Sequence, residues 1–274
     1  RRQTQSPMSD ADLNAVILDT VDILTSFSIG LVEVSQTVLT DKRSDEISKI
    51  NRIVYESSSD GKPQHIRMDG FEGLYPLNRV RIGSLEQSGF SFLPVAESVK
   101  SFASKPNANF AEADPIAFIP VIGKFEIRDV TIDTSGVPPV HAGLRSMVLA
   151  VDNPNGGVPR SAELTFDGLF GPIPSDSNEP AIDNLIALGY RDVNLSGTLR
   201  LAIDEKAKMF KTETLLTGEN MGTVGATANL INVPVDLLMR NPTAALIAFA
   251  GARIKDMSVT IENRGLADRL IDQD

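Results

Sequence analysis

The chain has 274 residues, 42% of them apolar and 23% charged, with no Cys, no Trp and three Tyr. That length carries one large domain or two modest ones around an aliphatic core, and the missing Cys excludes disulfides, thiolate metal sites and cysteine nucleophiles together. A formal charge of −10, with no Lys/Arg cluster, argues against nucleic acid as a partner, because phosphate binding needs a basic face that displaces counterions.

In chain order, Ser9 with Asp12 resembles a capping box, and Leu13, Val16, Ile17, Val21, Leu24 and Phe27 follow at helical spacing. They predict a helix over 10–26. The period then shortens, and strands are expected over 30–40 and 50–57, joined by the charged run Asp41–Glu46. A turn centred on Asp60-Gly61 leads to strands over 64–75 and 79–92. Pro94 opens a helix to about Ala103, and Asp114-Pro115 a short helix or apolar turn. Strands follow over 123–133, 143–152 and 160–169, the last two joined by a hairpin-type loop from Asp152 to Gly157. A helix over 180–188 precedes strands over 190–204, 209–217 and 223–231. A turn over 234–239, a helix over 242–251, a strand over 252–262 and a final helix after Gly265 complete the pattern. No apolar run is long enough to span a membrane as a helix. The chain opens on Arg1-Arg2-Gln3 and stops at Asp274 within a predicted helix, so both ends read as cut or processed.

Four stretches share one phrase, an apolar lead-in followed by a strand whose apolar residues change parity. Phe125 and Ile127 fall on one parity, Val130 and Ile132 on the other. Tyr190 is followed by Val193 and Leu195, Ile254 by Met257 and Val259, and Leu85 by Phe90 and Phe92. A parity change requires a bulge, or a strand whose covered face switches. Read as duplicated units, these stretches predict an α+β fold: a mainly antiparallel, strongly curved β-sheet built from repeated helix-plus-strand units, with short covering helices. The polar stretch after Pro172 suggests a division into 1–174 and 175–274, within what is otherwise one continuous domain. The concave side is either an ordinary core or a groove. As a groove it would be lined by Phe90, Phe92, Phe125, Ile127, Val130, Ile132, Val193, Leu195, Met257, Val259 and Ile261.

Sites for chemistry are scarce. The two His are His65, which alternates with Arg67 and Asp69 as on a solvated strand face, and His141, which has no charged companion nearby in the sequence. Neither anchors a Ser-His-Asp arrangement by motif. Counted from Asp152, Gly157 and Glu163 fall where a calcium loop needs them, but Pro154 and Gly156 occupy two ligand positions without a side-chain oxygen. Gly218, Gly222 and Gly225 lie between strands, whereas a phosphate cradle needs its glycines at a strand-to-helix turn. No metal site, catalytic residue or cofactor motif emerges, although a pair of carboxylates brought together across strands stays open.

The stretches Leu188–Leu216, Gly222–Leu230 and Ala252–Leu270, above all the ending Met257-Ser258-Val259-Thr260-Ile261-Glu262-Asn263-Arg264-Gly265-Leu266, resemble the C-terminal half of uncharacterised exported proteins of alphaproteobacteria. More remotely the chain resembles sheet-rich AsmA-like envelope proteins. The resemblance implies a periplasmic or otherwise exported protein of the cell envelope, and for the remoter group an involvement with lipid. Two expectations follow. One is a non-catalytic protein that binds a lipid or other apolar ligand on the sheet. The other is a structural module with a filled core and an envelope protein as partner. A carboxylate-based hydrolase is a third reading.

Overall fold

The computed structural model of the protein describes residues 15–22, 30–41, 46–56, 64–105, 115–153, 156–157, 159–174, 179–204, 206–233 and 251–271. Among these, residues 15–22 form a helix, α1. The strands are β1 (Leu31–Asp41), β2 (Glu46–Glu56), β3 (Gln64–Leu74), β4 (Asn78–Phe90), β5 (Gly123–Thr134), β6 (Val140–Asp152), β7 (Ser161–Pro172), β8 (Asp192–Asp204), β9 (Met209–Gly218), β10 (Gly222–Ile231) and β11 (Arg253–Asn263). Three further helices are α2 (Leu93–Ala103), α3 (Pro180–Ala187) and α4 (Leu266–Ile271), with a 3₁₀ turn at Pro115–Phe118. The turn expected at 57–63, the segment expected over 234–239 and all but the last residue of the helix expected over 242–251 lie outside the described residues.

All eleven strands form one sheet in chain order, each antiparallel to the next, with β1 and β11 as its two edges. Short turns suit this meander, because antiparallel neighbours need no crossover. At a spacing of about 4.8 Å per strand the sheet is roughly 50 Å wide. The sheet runs unbroken through the boundary suggested after Pro172, since β7 and β8 pair from Pro172↔Asp192 to Ser161↔Ala202.

A line of irregular residues crosses the sheet from β1 to β7. Gln36, Asn51, Gly70, Gly83, Asp129, Arg145 and Gly168 lie side by side, and each is skipped in the registers that pair its neighbours. On the odd-numbered strands the skipped residue has positive φ: Gln36 at 55°, Gly70 at 65°, Asp129 at 54° and Gly168 at 62°. At every crossing two polar or glycine residues separate flanking residues that are apolar, apart from Thr37. Examples are Ile50-Asn51-Arg52-Ile53, Met68-Asp69-Gly70-Phe71, Ile127-Arg128-Asp129-Val130 and Phe166-Asp167-Gly168-Leu169. A left-handed residue restores the parity that a two-residue spacer would otherwise invert. The line ends at β8 as a true bulge, where Asp167 and Gly168 together face Ser196. The Ser196 hydroxyl accepts the Gly168 N–H (3.1 Å) and donates to Asp167 (2.8 Å). We call this line the seam.

Two expectations are corrected. The duplicated helix-plus-strand unit finds no support among the described residues. β4 follows β3 through a tight turn closed by Tyr75 and Asn78, with no helix before it. The irregularities also differ in kind: Gly89 at φ 78° near the end of β4, Asp129 in the seam, and a skipped Lys255 in β11. Tyr190 precedes its strand altogether. Gly189 at φ 82° ends α3 and turns Tyr190 inward, where its hydroxyl donates to the Asn220 carbonyl (2.8 Å) under the Arg269 guanidinium. The described helices do not form the expected cover either. Among the described residues α2 packs against the 3₁₀ turn, and no helix packs extensively on either face of the sheet. The sheet is open, and among the described residues no strand lies beyond β1 or β11.

Candidate functional site

Residues directly opposite on neighbouring strands share a face, so the registers sort the side chains. Below the seam one row reads Val34, Ile53, Met68, Leu85, Ile127, Met147 and Phe166. Above it the row reads Thr37, Ile50, Phe71, Ile82, Val130, Leu144, Leu169 and Leu195. Beyond β8 the lower row continues through Gly197, Leu216, Val224 and Ile261. A parallel row runs Leu164, Leu199, Thr214, Ala226 and Val259.

The other face carries the charges. Arg52 grips Glu33 with two hydrogen bonds (2.9 and 3.0 Å), Arg67 bridges Asp69 (2.9 Å) and Glu86 (3.4 Å), and Arg200 bridges Glu163 (3.1 Å) and Glu213 (3.7 Å). Glu126 is held between Lys124 and Arg128. The seam belongs to this side. Arg145 lies over Gly168 and pairs with Asp167 (2.8 Å), while Asn51 and Asp129 border a hollow shared with Lys49, Glu72, Arg81 and Thr131. Both intervening residues at each crossing therefore face the charges, and the apolar rows above and below the seam share the opposite face.

That apolar face has no buried floor of its own. The buried apolar residues among those described are Val54, Ala96, Ala103, Tyr190 and Val233. Val54 lies opposite Glu33 and Arg67 on the charged side, two are in α2, and two lie outside the strands. Every apolar-face Val, Leu, Ile, Met and Phe named above is half-buried or exposed. In an ordinary domain such a surface would meet a second layer.

The lining residues expected from the sequence sort unevenly onto this face. Ile127 and Val130 occupy the two long rows, and Phe125 and Ile132 lie further out on the same strand, opposite Leu149 and Ala142. The seam thus puts all four on one side, although their plain parity differs. Val193 and Leu195 of β8 and Met257, Val259 and Ile261 of β11 join them. Phe90 and Phe92 form an edge-to-face pair (4.7 Å) where β4 passes into α2, with Phe92 outside any strand. Met68, Met147, Phe166, Leu144 and Leu216 went unrecognised in the sequence. Their signal is the alternation within each strand, which becomes a face only when the registers are known.

The polar candidates resolve as follows. His65 stands between Glu56 (3.6 Å) and Glu86 (3.2 Å) on the charged face, as its alternation suggested. His141 does have a charged companion, contrary to expectation. Its Nδ1 lies 2.6 Å from Asp133, directly opposite on β5, and its ring is 5.3 Å from that of Phe170. The hydrogen bond from His141 holds the Asp133 carboxyl below its usual range. Among the described residues neither His bonds a serine or threonine hydroxyl. The Asp152–Glu163 loop is organised by the buried Asn153, whose amide donates to the carbonyls of Pro120 (2.8 Å) and Gly157 (3.3 Å) and accepts the Ile122 N–H (3.0 Å). Glu163 is engaged by Arg200, which lowers its pKa. No group of three metal-ligating side chains occurs among the described residues. Gly218 and Gly222 pair with each other at the ends of the β9–β10 hairpin. Among the described residues every displaced carboxylate (Glu33, Glu72, Glu126, Asp133 and Glu163) is displaced downward, chiefly by a hydrogen bond from a basic partner. A general acid for hydrolysis needs the opposite shift.

No protein-family model, no curated protein and no solved structure matches this chain. Among the described residues no helix is long and apolar enough to cross a membrane.

Proposed function

We propose that this chain is a non-catalytic protein of the cell envelope, periplasmic or otherwise exported, that holds a lipid or another apolar ligand against its sheet. The observation that carries the reading is the apolar face running from β1 to β11, on which no second layer packs among the described residues. An apolar sheet face that meets no second layer marks a place where something else is bound. Rows dominated by Ile, Leu, Val, Met and Phe, with Thr37 and Thr214 as their hydroxyl-bearing members, suit a flexible hydrocarbon better than a polar solute. The envelope assignment rests on the resemblance of the C-terminal stretches. The filled-core alternative is weakened by the lack of buried side chains on this face, and the hydrolase by the downward carboxylate shifts.

Native mass spectrometry of gently purified protein tests the reading. The expected spectrum shows a hydrocarbon-bearing adduct that is lost in Ile127→Asp and in Met147→Asp, which face each other in mid-sheet. Purified protein without any adduct, or an adduct unchanged by both substitutions, refutes it.

A further inference from the structure

We propose that the outer edge of β11 is an interface between two copies of this chain, paired antiparallel about a two-fold axis normal to the sheet. The two edges of the sheet differ. β1 is interrupted halfway by Gln36 at φ 55°, and such a kink in an edge strand hinders the docking of a further strand. In β11 the irregularity falls near the start, at Lys255, and Asp256–Asn263 pair with β10 without a break. Among the described residues the outward N–H and C=O groups of that regular stretch meet no further strand, which leaves them for a partner. All eleven residues of β11 are exposed, and Ile254, Met257, Val259 and Ile261 are 64%, 64%, 57% and 74% exposed.

Charge and side-chain pattern select a second copy as the occupant. Opposite residues must share a face, so only registers that match like parity are allowed. With the axis through Ser258, Met257 meets Val259 of the other copy, Asp256 meets Thr260, and Lys255 comes beside Glu262. With the axis through Val259, Asp256 would face Glu262, and like charges directly opposite are destabilising. β1 offers no such match to itself, since its charged residues are Glu33 and Asp41. The pairing is isologous and closes on itself. It keeps both apolar faces on the same side of one doubled sheet. An edge of this length buries less than the ~1,600 Å² of a standard interface, which places the dimer in the weak, transient class.

The absence of Cys permits a register-specific test. Ser258→Cys places one thiol opposite its own copy, at a Cα separation of about 4.5–5.5 Å that a disulfide accepts. Copper-catalysed air oxidation is expected to crosslink Ser258→Cys but not Val38→Cys on β1. Sedimentation from ~1 to ~200 μM is expected to show a monomer–dimer equilibrium, as the weak class of interface requires. Lys255→Glu and Glu262→Lys should each raise its Kd at least fivefold, and the double variant should return within twofold of the parent. A monomer throughout that range, equal crosslinking at both cysteines, or a double variant as weak as either single one overturns the proposal. The ligand reading fails separately, on the adduct carried by the monomer.

Discussion

Gly70→Ala probes the seam most directly. Gly70 has φ 65°, and a Cβ there would fall 2.1 Å from Asn51 Nδ2 and 2.7 Å from Asn51 Cγ. The left-handed conformation costs an L-residue about 1–2 kcal/mol. Asn51 is exposed and can swing aside, which adds about 0.5–1 kcal/mol of rotamer cost. The lower conformational entropy of unfolded alanine returns about 0.4–1 kcal/mol. The net expectation is a loss of about 1–2 kcal/mol, read as a lower urea midpoint at unchanged slope. Asn51→Ala in the same chain should recover the steric share and leave the backbone share. At the equivalent position of β5 the direction reverses. Asp129 already pays the left-handed penalty at φ 54°, so Asp129→Gly should be neutral or stabilising by up to about 1 kcal/mol. If Gly70→Ala melts with the parent while Asp129→Gly is clearly destabilised, the positive φ values are not what sets the two apolar rows on one face, and the argument for a one-sided sheet fails.

Two further outcomes are expected. Asn153→Asp keeps the shape but replaces two N–H donors with a carboxylate facing the carbonyls of Pro120 and Gly157, so it should cost about 1–3 kcal/mol in the same urea assay. Glu126→Gln should cost about 1 kcal/mol at neutral pH, at the low end for charged hydrogen bonds because Lys124 and Arg128 are exposed to solvent. The Lys124 hydrogen bond depresses the folded pKa of Glu126, with burial opposing it and Arg128 adding to it. Its contribution is therefore full above the unfolded glutamate pKa and disappears as pH falls through the folded value. The gap between parent and Glu126→Gln should close on acidification, and a gap that is constant with pH contradicts the assignment.

The strands were legible because each alternates strongly and is punctuated by turn residues, from Val32-Val34 to Val259-Ile261. The seam was half legible. The step from Ile127 to Val130 announces an irregularity, and Asp129 supplies it. The same event in β1 is hidden, because Thr37 breaks the apolar signal on the far side of Gln36. The apparent repeat misled for a physical reason. Tyr190 belongs to a helix-ending turn rather than to a strand, so its spacing to Val193 carries no parity. The pairing of Asp133 with His141 was invisible for want of register, since the two are brought opposite only when the β5–β6 hairpin closes. The face as a whole was out of reach for the same reason. It is a property of rows running across the strands, and a chain read lengthwise shows one residue of each row at a time.

Because each strand bonds only to its neighbours in the chain, the sheet has no closing contact between its first and last members. Assembly can start at any hairpin and spread outward, without the slow search that distant pairings impose. Cooperativity is then local, as in linear arrays whose parts touch only the next part. The longer connections before β5, β8 and β11 divide the sheet into blocks of four, three, three and one strands. Hydrogen exchange should resolve these blocks as separate opening units, with the outermost exchanging first. Such an architecture can also lengthen or shorten over evolution by whole hairpins, since adding a pair at either side leaves every existing register intact.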